Sequence, residues 1–562
     1  MHRIFYISEL VNLIVQHVAA RETCHDRNSP GYGHRAVKRP SVRTLRTLGQ
    51  VARVFREPCL DAKWYHHSGI SELLWMVDAI EVVPKDDHDG FFKDHYVTRQ
   101  LTIQDIPKIQ FYSKRIHQMN VSSFNSLRDD RRGGRPREPT ETLLNYGPPT
   151  LLFPRVHFIS YHAALFAEVN FVLNNTGDTL TEMIGNTLGA LPPKFLMMAE
   201  RRRSDLTLLM ASAADQESGE FSLGQSLNVI LPDARRLVEL RVDDDVSHHL
   251  NLWDAVAPIP TLRKLSIKSH TNANLLTFGP SCSVTYNNIT DLHLQCRSPQ
   301  AVCAHLQNVV FATLTTLHVH LLSDMNAGIS NTEAPVLLSA VSRACADSPL
   351  MSLKIYGFES PIDDTPPRLE ILGVEHLRPF MKYKLRSLDL SMRWSWTLEG
   401  THLEELATAW GNDIETLKLD PDGFWPDFTN PAASVITLQM LEQFAYSCPG
   451  LRILGIPFDP HLSNFVWSDD FCVDLPGHSH LEMLWVGEAP LIADAAPEMA
   501  MYLSSVFQKL ETVKASMKGL ARGQGGTYFE QWQMVSKMLP ALHKARRQEQ
   551  VASFAHEHGQ SW

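Results

Sequence analysis

The chain opens with apolar residues at helical spacing. Ile7, Leu10, Val11, Ile14 and Val18 recur three and four positions apart, which predicts an amphipathic helix with one apolar face. Ser8 and Glu9 suit its first turn, where a hydroxyl or carboxylate serves amides that no intrahelical carbonyl reaches. Pro30, Gly31 and Gly33, among polar residues, then mark residues 21–42 as an exposed loop. The helical period returns in Leu45, Leu48, Val51, Ala52 and Phe55. Pro58 is expected to stop or reset this second helix, with Leu60, Ala62 and Trp64 beginning a third. Three helices this short bury little surface, so an apolar face should be left for the rest of the chain or for a partner.

From about residue 150 the pattern changes to L-x-x-L-x-(L/I/V). Copies stand at Leu237/Leu240/Val242, Leu262/Leu265/Ile267, Ile289/Leu292/Leu294, Leu314/Leu317/Val319 and Leu350/Leu353/Ile355. Others follow at Leu385/Leu388/Leu390, Ile414/Leu417/Leu419, Leu451/Leu454/Ile456 and Leu481/Leu484/Val486, with a weak one at Leu510/Val513 and a possible first one at Phe153/Val156/Phe158. Helical segments lie between them, at 301–311, 335–346, 403–410 and 438–446. One short strand and one helix per unit predict an α/β fold, an irregular leucine-rich-repeat solenoid with parallel inner strands and outer helices. In such a body the leucines are core, since each unit buries them only against its neighbours.

The domain reading is a helical module at 1–85, a connecting segment at 86–150, the solenoid at 151–525 and a C-terminal capping helix and tail at 526–562. In the connecting segment Ile103, Ile106, Ile109 and Phe111 predict an element packing toward the head. The run Arg128–Arg137, with its Asp, Gly and Pro residues, reads as a surface loop. Arg201, Arg202 and Arg203 sit at a helix end, where cations favour the dipole. Near the C-terminus Phe529, Trp532, Val535 and Leu539 predict the cap.

The formal net charge of -10 disfavours nucleic acid as the main partner. No run approaches the length of a membrane span, and Glu9, Asn12, Gln16 and His17 interrupt the N-terminal apolar run before it becomes a secretory signal. The expected compartment is therefore cytoplasmic or nuclear. The 8 cysteines are scattered without a CxxC pair and read as buried thiols. The 26 histidines include His318 and His320, which a strand would place on one face, but no Cys or carboxylate set completes a four-ligand pattern. Nucleotide-binding, hydrolase and metalloprotease fingerprints are missing, so no catalytic residue, metal or cofactor is assigned.

The string Phe55-Arg56-Glu57-Pro58-Cys59-Leu60-Asp61-Ala62-Lys63-Trp64, behind the helix Ile7–Val18, resembles the F-box as it heads many large fungal proteins. There an E-L-x-x-x-I helix precedes L-x-x-x-x-x-V-x-x-x-F-x-E-P-x-L-D-x-x-W. The usual Leu-Pro opening is Ile7-Ser8 here, and the loop after the first helix is long. The resemblance implies a non-catalytic substrate-recognition subunit of a Skp–cullin–F-box ubiquitin ligase. Its head would bind a Skp-type adaptor, and through it a cullin, while the repeats bind a target protein. Adaptor-facing residues are then expected among Ile7, Leu10, Ile14, Leu48, Val51, Phe55 and Trp64, some of which must instead form the module's own core. The alternative is an F-box-like leucine-rich-repeat scaffold outside any ligase, in which the same helices only cap the solenoid.

Overall fold

The structure is a computed structural model. It describes residues 8–20, 42–84, 93–97, 102–122, 127–128, 151–162, 166–187, 193–213, 223–243, 252–269, 283–322, 333–357, 371–392, 394–419, 436–456, 458–460, 480–487, 489–491, 493–515 and 525–557. The chain divides into two compact units, Met1–Leu262 and Arg263–Trp562.

The first unit begins with α1 (Ser8–Ala20), α2 (Val42–Val51) and α3 (Arg53–Tyr65). The break between α2 and α3 falls at Ala52, whose backbone is extended, and not at Pro58, which lies inside α3. Pro58 removes one intrahelical donor in the second turn of α3, a cost the packed helix tolerates without ending. A parallel ladder follows directly, in the order His66–Ser68, Gln118–Ser122, Phe158–His162, Glu182–Thr187, Leu208–Ala213 and Glu239–Asp243. Helices Phe166–Asn174, Pro193–Arg201 and Leu223–Ile230 separate its later strands. The ladder thus starts within the stretch read as the helical module, well before residue 151. Ile106–Ser113 is the helix that Ile103–Phe111 foreshadow: Ile106 and Ile109 are buried, while Ile103 is exposed. Of the Arg128–Arg137 run, residues 129–137 lie outside the described residues. Arg202 pairs with Asp178 and Arg203 with Asp233, the latter at 2.7 Å, so these arginines meet acids from neighbouring repeats.

The second unit carries a parallel ladder of Lys264–Ser269, Asp291–Cys296, Thr316–Leu321, Ser352–Gly357, Ser387–Ser391, Thr416–Leu419, Ile453–Gly455, Met483–Gly487 and Thr512–Ala515. Helices Glu333–Ala344, Gly400–Trp410 and Leu438–Ser447 match three of the four expected segments. In the fourth the helix ends at Leu306, and Val309–Phe311 is a short strand paired with Val284–Tyr286. Gly525–Glu557 is the C-terminal helix, anchored by buried Trp532, Val535 and Leu539; the Trp532 indole donates to the Ala489 carbonyl at 2.8 Å.

Template leucines stand in lateral register. Leu265, Leu292, Leu317, Leu353, Leu388, Leu417, Leu454, Leu484 and Val513 are successive Cα partners, and none is more than slightly exposed. Burying each such side chain contributes roughly 2 kcal/mol. The first unit repeats the same frame with other residues: Ile116/Met119/Val121, Val156/Ile159/Tyr161, Leu180/Met183 and Leu206/Leu209/Ala211 are all buried. The possible copy at Phe153/Val156/Phe158 is therefore shifted by three positions. Between repeats, threonine hydroxyls tie one turn to the last. Thr179, Thr261 and Thr313 donate to the carbonyls of Val156, Leu237 and Ile289, each the first template residue of the preceding repeat, at 2.8, 2.8 and 3.0 Å.

Candidate docking surface of the helical head

The three head helices enclose a small core of Val11, Val15, Leu45, Phe55 and Cys59, with Val18, Leu48, Ala52, Val54 and Ala62 packed around it. On α1 the core stripe is Val11, Val15 and Val18, spaced four and three apart. The helix carries more apolar residues than that stripe can hold. Leu13 remains 58% exposed and Ile14 38%, and Leu10 is half-buried. At the end of α2, Val51 is 70% exposed. Large aliphatic side chains of two helices thus stand exposed among polar ones such as Asn12, Gln16 and Gln50.

The seven anticipated contact residues therefore separate. Leu10, Ile14 and Val51 reach solvent, and Leu48 is half-buried against the core. Ile7 lies outside the described residues. Phe55 and Trp64 are interior, 4% and 1% exposed, and cannot be touched by a partner unless the module opens. Leu13 was not anticipated; it stands on the side of α1 away from the core stripe, which the reading of a single apolar face overlooked.

Trp64 is interior because it belongs to the first repeat. It precedes the strand His66–Ser68 by the same two residues by which Leu262 precedes Lys264–Ser269 and Ile116 precedes Gln118–Ser122. His67 follows as the next inward position, and both are buried. The Trp64 ring meets the rings of His67 and Tyr112 at centroid distances of 4.7 and 4.9 Å, and Lys63 Nζ lies 5.0 Å from its centroid.

The charged residues of the same string also face inward partners. Glu57 and Asp61 stand one helical turn apart on α3, and both bind the guanidinium of Arg115. Arg115 is itself buried, donates through Nε to the Phe111 carbonyl at 3.2 Å, and lies 4.8 Å from the Phe111 ring centroid. Burial opposes its charge, but the hydrogen bonds and charges of Glu57 and Asp61 outweigh that and hold the guanidinium above its ordinary value. Arg115 was absent from the sequence reading. The signal was available in the pair Glu57/Asp61, two carboxylates on one helix face beside buried aromatic residues, an arrangement that calls for a cation.

No family model and no curated protein matches this chain.

Cys59, Cys296, Cys345 and Cys448 are buried thiols. Burial pushes Cys345 and Cys448 up to about 12, which removes thiolate character at neutral pH. Cys24, Cys282 and Cys472 lie outside the described residues. Among the described residues no group of three metal-ligating side chains is placed to hold an ion, and no helix is long and apolar enough to cross a membrane.

Proposed function

We propose that the chain is a non-catalytic substrate-recognition subunit of a Skp–cullin–F-box ubiquitin ligase, with α1 and the end of α2 docking a Skp-type adaptor. One observation carries this reading. After its core stripe is satisfied, the head still presents Leu13, Ile14 and Val51 to solvent. Aliphatic side chains of a helix that stand exposed are the kind of surface that helix-packing recognition uses. The contact set is Leu10, Leu13, Ile14 and Val51; Phe55 and Trp64 hold the module in shape. The repeats then carry the target.

The test is co-purification of the full chain with a Skp-type adaptor and a cullin. The double variant Leu13→Asp/Ile14→Asp, and separately Val51→Asp, should abolish capture without lowering the melting temperature. Capture that persists in both variants, or that is absent from the unmodified chain, sinks the proposal.

The internal use of Glu57, Asp61 and Trp64 favours a second reading, a scaffold whose helices only cap the repeats. Under it, the aspartate variants change neither folding nor any adaptor association.

A further inference from the structure

In the second unit the template leucines occupy one face of the ladder, and the alternate positions of each strand form the other. Strand register brings Lys354, Asp389, Lys418, Gly455, Trp485 and Lys514 into a single row on that second face. Gly455 puts no side chain into the row and is itself buried, so the row closes over its backbone there. Lys418 reaches across it, its Nζ 4.8 Å from the Trp485 ring centroid; from the other side Lys514 Nζ stands 3.8 Å from the same centroid.

Two ammonium groups thus converge on one indole. Asp389 balances Lys418 at 3.0 Å. Among the described residues neither Lys354 nor Lys514 makes an ion pair, so the row carries three lysines against one aspartate on a chain of net charge -10. His318, the lateral neighbour of Lys354, adds no charge at neutral pH, because burial and then Lys354 push it down to about 4.

We propose that this row is the docking track for an acidic, extended segment of the target protein, with one anionic side chain bound by Lys418 and Lys514 beside Trp485. The inference rests on the reading of the chain as a target-binding subunit. Charge complementarity selects the occupant: a local excess of lysine on an acidic protein attracts an acidic segment. The indole gives the aliphatic part of an acidic side chain an apolar wall. A nucleic-acid strand would face the same Asp389 and the repulsion of the whole chain. Carboxylate and phosphate offer the same anionic oxygens, so both belong in the test.

Fluorescence anisotropy of the full chain would be read with a short fluorescein-labelled glutamate-rich peptide, its phosphoserine counterpart and a glutamine-for-glutamate control. The glutamate and phosphoserine peptides should bind, their ratio showing which anion the lysine row prefers, and the control should bind about tenfold more weakly or worse. Lys514→Glu and Trp485→Ala should each weaken acidic-peptide binding about tenfold. Lys514 is exposed, so its variant should melt as the unmodified chain does. The track is overturned if the control binds equally, if Lys514→Glu changes nothing, or if an oligothymidine competes better than the acidic peptides. Adaptor capture, measured on the same samples, separates the two proposals. No peptide binding by the unmodified chain, with capture intact, overturns the track alone. Peptide binding without capture supports the track and overturns the ligase reading.

Discussion

The ladder of the second unit and the helical head are both assembled from short elements with apolar faces, yet they use those faces differently. In the ladder most strands repeat the same two inward positions, and each template leucine meets its counterpart one strand away. The head has no counterpart to stack on. Its α1 satisfies one stripe, Val11, Val15 and Val18, and leaves Leu13 and Ile14 outside. Its junction to the first ladder is made of single contacts that occur once: Arg115 with Glu57 and Asp61, and Trp64 with Tyr112 and His67. Iteration closes a surface, whereas a one-off junction fixes orientation and leaves a face for others.

The comparison can be broken first on the ladder side. Leu388→Ala removes a side chain at the centre of the register and should cost about 3 kcal/mol in chemical denaturation. Substituting an iterated position without such a loss would show that the ladder is not the load these leucines share. A second effect is acid sensitivity within the second unit. His305 is buried, and burial pushes it down to about 4 from the ordinary 6.5. It is therefore neutral when folded but takes up a proton when unfolded below about pH 6.5. His305 alone should take roughly 2 kcal/mol from the stability between about pH 7 and pH 4.5, and His305→Gln should remove that share of the slope in pH-dependent unfolding.

The head junction should respond less. Glu57→Gln with Asp61→Asn strands the Arg115 guanidinium, but the two acids are largely exposed and solvent screens the pair, so about 1–2 kcal/mol is expected. Hydrogen exchange should register the loss in α3 and Ile106–Ser113. The smallest effect belongs to the outer face: Val51→Asp should change unfolding free energy by less than about 0.5 kcal/mol. A larger loss would mean that Val51 is part of the head's core after all, and the contrast between closed ladder and open head would fail.

The parallel strands were legible in the sequence wherever all template positions were aliphatic, from Leu237 onward. Earlier repeats use Met119, Met183, Ala211, Tyr161 and His67 at the same inward places, and those residues do not stand out from background by type. What marks them is the hydrogen-bonded neighbour, which is a property of pairing and not of spacing. In the head the helices were legible and their break was not, because Pro58 gives a strong local signal while Ala52 gives none; packing of α2 on α3 decided it. The candidate contact residues were legible only as a set. Sorting Ile14 and Val51 from Phe55 and Trp64 required knowing which side of each helix the neighbouring helices cover.

The place of Trp64 has a consequence for inheritance and engineering alike. It ends the last turn of α3 and also fills the first inward position of the repeats, with His66–Ser68 following immediately and pairing with Gln118–Ser122. Head and body thus share a residue and have no hinge between them. Cutting the chain after Trp64 would leave the edge strand His66–Ser68 in the body but take away the ring that packs on His67 and Tyr112. A head of this kind cannot be traded between bodies like a bead on a string; whatever lineage carries it must carry the first rung as well.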